Sequence, residues 1–349
     1  MLLKVLVTGA AGLIGGEVCA RLAARGHAVT AMVRKTREVR GNDGAQVKGV
    51  QVVSGDITRP LMGLDPAAHQ VDLVIHCAAN LEFDAPLPTL AAVNVEGTRN
   101  ALAFAKAAGA GFLHVSTAYV CGQRDGPIAE GAVRSGTRFT NNYEASKALA
   151  EAAVAASGVP FAVARPSIVL GDHAKGAIRD FPSLCNVFRL MARGKVGVFP
   201  TSADATLDLV PLCHVAEGIV RLAERFDAAK GGYFHLVASQ PLPAAELANG
   251  VARVAHFPDP QVVDPDGFDA ESLPATERQL LTRMMRTFGP YFTRNPRFDD
   301  AKFRALTGLD CPATDSAWLD RLIAYGIAAG YLPKAEPSER PGSASRAAA

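Results

Sequence analysis

A doubly wound, parallel α/β sheet is the architecture this 349-residue sequence predicts. Two features predict it. Short, predominantly apolar runs without strict alternation are interleaved with helix-period segments through the first half, and a glycine-rich turn joins the first run to the first helical segment. Strands apolar on both faces belong to parallel sheets, because the helical crossovers that parallel pairing needs cover each face. The runs are Leu2–Val7, Ala28–Val33, Val50–Ser54, Leu73–Cys77, Phe112–Ser116 and Phe161–Ala164. The helical patterns lie at about Gly12–Ala24, Pro88–Ala108 and Asn142–Ser157.

After about Leu170 the rhythm changes. Glycine, proline and arginine punctuate Gly171–Asp208, a helical pattern covers Val215–Phe226, and a late strand reads Tyr233–Val237. Helices are expected near Ala244–Val254, Glu277–Phe288 and Ser316–Ala329. The expected division is a sheet-forming region over residues 1–170 and a smaller C-terminal lobe over 171–332, with a return to the sheet near 208–240. Residues 333–349, rich in Pro, Ser, Ala and charge, are expected to be disordered.

Composition narrows the function classes. With 36 Lys+Arg against 34 Asp+Glu the net charge is +2, which argues against nucleic acid as the main partner, since phosphate binding leaves a basic stripe. No apolar run approaches the ~18 residues a spanning helix needs. The apolar start, Met1 to Thr8, lacks a basic lead-in and runs directly into a glycine turn, so it is read as a buried strand rather than a signal peptide. The six cysteines have no metal-binding spacing. Free thiols at strand and helix positions suit a reducing cytoplasm, and no metal site is expected.

Thr8-Gly9-Ala10-Ala11-Gly12-Leu13-Ile14-Gly15 follows the first strand and opens the first helix. Glycines there allow a sharp turn and close approach of backbone to a pyrophosphate, and the helix offers unpaired N–H groups to the phosphates. Three glycines alone are a weak signal; their place after the first strand points to a Rossmann-like dinucleotide site. Cofactor choice is read at the end of the second strand, where an acid holds the ribose hydroxyls of NAD. Here the chain reads Met32-Val33-Arg34-Lys35-Thr36-Arg37. A guanidinium matches a 2′-phosphate in two-pronged fashion, so NADP(H) is expected, with Arg34 first and Arg37 second. Asp56, followed by Ile57, closes the third strand, either facing the adenine or serving as a turn former or helix cap. Cys77, Ala78 and Ala79 are small enough for a ribose to lie close; crowded sheet ends also favour small residues.

Tyr143 and Lys147 are four residues apart on a predicted helix and so share a face. A cation beside a phenol favours phenolate and brings the group into range for proton transfer. Thr117, in Ser116-Thr117-Ala118-Tyr119 at the end of the fifth strand, is placed to hydrogen-bond a reacting carbonyl oxygen. Ser116 is the rival hydroxyl, but neighbouring strand positions face opposite ways.

With these motifs the sequence resembles the extended short-chain dehydrogenase/reductases over roughly residues 3–240. The stretches from Ala78 to Asp84, Asn94 to Thr98, His114 to Val120, Arg165 to Val169 and Asp208 to Pro211 resemble the fatty acyl-CoA reductase and thioester reductase branch within them. Members of that branch reduce acyl thioesters with NADPH. The resemblance implies catalytic roles for Thr117, Tyr143 and Lys147, and cofactor contacts from Gly9, Gly12, Gly15 and Arg34. Asn94 matches an asparagine that supports the lysine through water, and Pro166, Ser167, Ile168 and Val169 match a segment lining the nicotinamide. Leu81 and Phe83 fall on the substrate side. Two departures lie in substrate territory: a tryptophan-containing stretch is replaced by Gly171–Gly176, and an expected aspartate by Cys213-His214. Phe181 to Phe199, including Phe188, supplies apolar side chains for an acyl tunnel or for an ordinary amphipathic helix. A ketone, steroid-like alcohol or nucleotide-sugar substrate uses the same catalytic trio, and a non-catalytic NADP-binding regulator is the remaining alternative. The resemblance also suggests a homodimer.

Overall fold

The computed structural model describes residues 2–335. Seven strands, all paired in parallel, form the central sheet: β1 (Lys4–Thr8), β2 (Ala28–Val33), β3 (Val50–Ser54), β4 (Leu73–His76), β5 (Gly111–Val115), β6 (Phe161–Pro166) and β7 (Tyr233–Leu236). Their spatial order is β7-β6-β5-β4-β1-β2-β3. Succession therefore reverses between β1 and β4. In open α/β sheets this is where the carboxyl ends of adjacent strands part and a ligand crevice forms. The doubly wound sheet expected from the apolar runs is present, and the late strand at Tyr233 closes it by pairing with β6.

Helices cover both faces. α1 (Leu13–Ala24) and, much later in the chain, α6 (Leu212–Glu224) pack together over Val5, Val7, Leu73 and Ile75 on one face. On the other, α3 (Glu96–Ala108) and α4 (Asn142–Ala155) pack over Leu6, Val74 and Phe112. The single helix expected at Pro88–Ala108 is divided into α2 (Leu87–Asn94) and α3. Backbone hydrogen bonds run on through Val95, from Val95 N to Ala91 O and from Arg99 N to Val95 O, so the division is a bend rather than a break.

Beyond β6 a third core forms around the buried Trp318, Phe199 and Phe292. It is built from α5 (Cys185–Ala192), α8 (Glu246–Ala252), α9 (Ala275–Phe292) and α11 (Ser316–Ala328); α7 (Phe226–Ala229) and α10 (Ala301–Thr307) are short connectors nearer the sheet. A three-residue strand ties this half to the first, Gly126–Ile128 pairing with Pro296–Phe298, while within the second half Ile168–Leu170 pairs with Leu209–Pro211. Past Ala335 the expected disordered tail lies outside the described residues.

Two glycines of the turn are steric necessities. Gly9 has φ +66°, and a Cβ there would lie 2.7 Å from Ala78 N; at Gly15 it would lie 2.3 Å from Gly9 O. The glycine turn is thus pressed against the end of β4 as well as against its own helix.

A buried ion pair crosses the core between β6 and α4. Arg165 on β6 donates through Nε and Nη2 to Glu151 on α4, at 2.9 and 2.6 Å, and both side chains are nearly inaccessible. The guanidinium also lies 4.8 Å from the Tyr233 ring centre. Removing one partner strands a buried charge, which costs about 3–5 kcal/mol. Glu151→Leu is therefore expected to lower unfolding stability by about that amount in urea titration, and adding Arg165→Met is expected to restore most of it. A single-variant loss below about 1 kcal/mol would show the pair to be dispensable.

Candidate active site

The crevice between β1 and β4 is lined by the glycine turn, the first turn of α1 and the segment Cys77 to Asn80. Gly12 caps α1 with no side-chain hydrogen bond, and its first turn contains no acid. Its N–H groups and positive end therefore remain available to an anion. At the neighbouring end of β2, Arg34, Lys35 and Arg37 are exposed and no acid is present before Glu38. The residues present fit a nicotinamide dinucleotide: its pyrophosphate at the uncapped helix, its adenosine beside the basic strand end.

Beneath the crevice runs a chain of buried hydrogen bonds. Thr98 donates its only proton to Asn94 O at 2.7 Å, so it must accept from His76 Nε2 at 3.1 Å. His76 Nδ1 is then an acceptor, and Thr8 Oγ1 donates to it at 2.8 Å while accepting from Ala78 N at 3.3 Å. Burial, with the Lys147 charge nearby, pushes the His76 pKa down to about 3, so the ring is neutral as this pattern requires. Asn94 continues the chain. Its amide grips both backbone groups of Asn80 and donates to Ser146 Oγ at 2.9 Å, which donates to Tyr143 O at 2.8 Å. The end of β1 and the first turn of α4 are joined through satisfied polar groups.

Tyr143 stands in that first turn, its ring centre 5.2 Å from that of Phe83. Its hydroxyl has no hydrogen-bond partner among the described residues. Burial, and then Glu144, raises its pKa above the ordinary phenol value. Lys147 is buried one turn on, and its pKa is pushed down to about 8 by that burial. The ammonium donates to Val115 O at 2.8 Å and lies 3.5 Å from His114 Nε2. The resting protein thus does not show the acidified phenol expected from the YxxxK spacing; the ammonium directs one of its three N–H groups at a strand-end carbonyl and keeps its charge. Thr117 follows β5, with Oγ1 accepting from Tyr119 N at 3.3 Å and its own proton without an acceptor among the described residues. The hydroxyl of Ser116 is buried and unpartnered among the described residues.

The first turn of α4 is held from the far end of the chain. Tyr291, near the end of α9, donates to Glu144 Oε1 at 2.7 Å and accepts from Asn141 Nδ2 at 2.8 Å. Its ring lies against Tyr119 and Phe83, and Phe288 meets Phe83 as well. Sequence reasoning missed this contact, as it missed His76 and His114. A glutamate beside the YxxxK tyrosine was the available signal, but nothing in the sequence pointed to its partner 147 residues away.

The structure gathers Gly9, Ala11, Gly12, Leu13, Ile14, Gly15, Cys77, Ala78 and Ala79 at the switch point, with Phe83, Tyr143 and Lys147 on the β4–β5 side. Other expected residues turn elsewhere. Asn94 donates directly to Ser146. The Thr8 hydroxyl is consumed by His76, and that of Ser167 by the buried Asp208. Asp56 forms a turn with Thr58 through one carboxylate oxygen. Ile57 is a core residue. Leu81 is exposed. Phe181 stacks on Tyr331 and, with the buried Phe188, lines a separate apolar crevice beside Leu170, Ile178 and Leu332. Among the described residues, no group of three His, Cys, Asp or Glu is placed to hold a metal, and no helix is long and apolar enough to cross a membrane.

This geometry, a dinucleotide crevice beside a hydroxyl-bearing strand end and a YxxxK helix, is that of an NAD(P)-dependent oxidoreductase of the extended short-chain dehydrogenase/reductase type. The family description "Male sterility protein" matches residues 7–219, and the chain belongs to that family. It is 31% identical over 265 residues to the 2-alkyl-3-oxoalkanoate reductase of Stenotrophomonas maltophilia, covering 73% of this chain and 77% of that protein. It is 27% identical over 224 residues to a fatty acyl-CoA reductase of Drosophila melanogaster, covering 53% of this chain but only 42% of that one. Among solved structures it resembles the terminal R domain from the myxalamid PKS-NRPS pathway, with a TM-score of 0.82, 26% identity, and 96% and 93% of the two chains covered.

Replacing Tyr291 by Phe leaves a buried carboxylate oxygen and an amide without their partner, a loss of about 1–3 kcal/mol. Urea unfolding of Tyr291→Phe is expected to show a destabilisation in that range, and an unchanged midpoint would show that Glu144 does not depend on it.

Proposed function

We propose that this protein is an NADPH-dependent reductase of acyl thioesters, yielding the aldehyde or alcohol and a free thiol. The substrate class rests on one observation above others, the likeness to a terminal R domain across 96% of this chain. The choice of NADP(H) rests on Arg34 and Arg37 and on the lack of an acid where NAD-specific sites place one.

A reduced nicotinamide supplies hydride to the carbonyl carbon. The protein's own groups manage the oxygen. Thr117 keeps its hydroxyl proton free to donate to that oxygen, and Tyr143 donates from the other side. The raised pKa of Tyr143 keeps the phenol protonated at neutral pH, the state a proton donor for reduction requires. Lys147, charged below about pH 8, stabilises the phenolate left behind. Asn94 and Ser146 hold the tyrosine's backbone. Phe83 and Phe288 supply an apolar wall that lowers the local dielectric and strengthens these contacts. From a thioester, the resulting hemithioacetal expels thiol and leaves aldehyde.

A second reading, reduction of the ketone of a 2-alkyl-3-oxoalkanoate, is favoured by the name of the 31% identical relative and uses the same trio. The two differ in product. NADPH consumption with a long-chain acyl-CoA is expected to release one thiol per reduced acyl group; turnover of the 3-oxoalkanoate without turnover of any thioester would favour the second reading.

Tyr143→Phe is expected to lower kcat/KM by about 10²–10⁴ with cofactor binding retained. The kcat/KM profile should fall as pH rises through about 8, where Lys147 loses its proton. A profile flat across that range would refute the lysine's role.

A further inference from the structure

Arg179 belongs to the irregular segment after β6, far in sequence from the glycine turn, yet its guanidinium lies on that turn. Nη2 donates to Ala11 O at 3.0 Å and Nη1 to Arg40 O at 2.6 Å. The backbone is fixed to the same place: Arg179 N donates to Asn42 Oδ1, Asn42 Nδ2 to Ala177 O, and Asn42 N to Glu17 Oε2 on α1. Segment 177–179 is therefore sewn to both the glycine turn and the loop that follows β2. In this fold the adenosine ribose lies between those two elements, because the residue that reads its 2′ position sits at the end of the second strand while the pyrophosphate sits on the turn.

One anion already occupies the fork. Asp180 Oδ2 accepts from Nε at 2.8 Å and Nη2 at 2.7 Å. The Arg179 side chain is only 17% exposed, whereas that of Asp180 is 63% exposed. The arginine is held by main-chain carbonyls and the carboxylate is free to swing into water. Of the five N–H groups of the guanidinium, four are engaged and one on Nη1 remains. A phosphate dianion, with three acceptor oxygens and greater charge, matches this fork better than one carboxylate oxygen.

We propose that Arg179 binds the 2′-phosphate of NADP(H) jointly with Arg34, displacing Asp180, so that the second half of the chain reads cofactor identity. The proposal rests on the NADP(H) reading above. The test is direct titration of the protein with NADPH and NADH, followed by nucleotide fluorescence and needing no substrate. Wild type is expected to prefer NADPH. Arg179→Met should weaken NADPH about tenfold to a hundredfold, the range of charge-assisted hydrogen bonds, with NADH little changed. Asp180→Asn should tighten NADPH several-fold and leave NADH unchanged. Equal wild-type affinities for the two nucleotides would overturn the NADP(H) reading and this proposal with it. A wild-type preference for NADPH that Arg179→Met leaves intact, or equal weakening of both nucleotides, would overturn this proposal alone. Should Arg179→Met fail to fold, Asp180→Asn decides: an unchanged NADPH affinity rules the fork out.

Discussion

The site depends on the chain of buried hydrogen bonds under the crevice. Thr8 and His76 lie at the ends of β1 and β4, where the sheet reverses its order; Thr98, Asn94 and Ser146 carry the connection to the backbone of Tyr143. Each donor in this chain meets one acceptor, which is possible only with His76 neutral and protonated on Nε2. In a low-dielectric interior such a chain is rigid because every alternative leaves a polar group unsatisfied. The distance between the glycine turn and the YxxxK helix is set by this chain as much as by apolar packing.

Burial also determines the ionisation of the site. It raises the tyrosine and lowers the lysine, moving apart two groups whose affinities for a proton nearly coincide in water, so the phenol keeps its proton at rest. Lys147 compensates its desolvation with Val115 O, with the neutral His114 beside it, while Glu151, one turn further along the helix, is neutralised by Arg165. The catalytic helix thus contributes alternating partners along one face, each fixed to a different strand.

The second half of the chain is more than a cover for the substrate. Through Tyr291 it holds the first turn of α4, and through Arg179 it reaches the glycine turn. Both contacts act on elements of the first half, so the glycine turn and the YxxxK helix are each held by a residue more than 140 positions away.

Much of this was legible in the sequence. Six apolar runs and the late run at Tyr233 foretold all seven sheet strands within a residue or two, because strands in a covered parallel sheet carry few polar positions to confuse the pattern. The glycine turn and YxxxK spacing were legible because close backbone approach and shared helix faces are local rules. Three-residue strands such as Ile168–Leu170 were not, since a ladder that short has no period; nor was the bend at Val95, where the helical hydrogen bonds continue. The roles of His76, Tyr291 and Arg179, the turn of Ser167 toward Asp208, and the direction of the Lys147 ammonium were decided only by the tertiary structure. Each is a question of which partner a buried polar group finds, and that partner is supplied by whatever part of the chain folds against it.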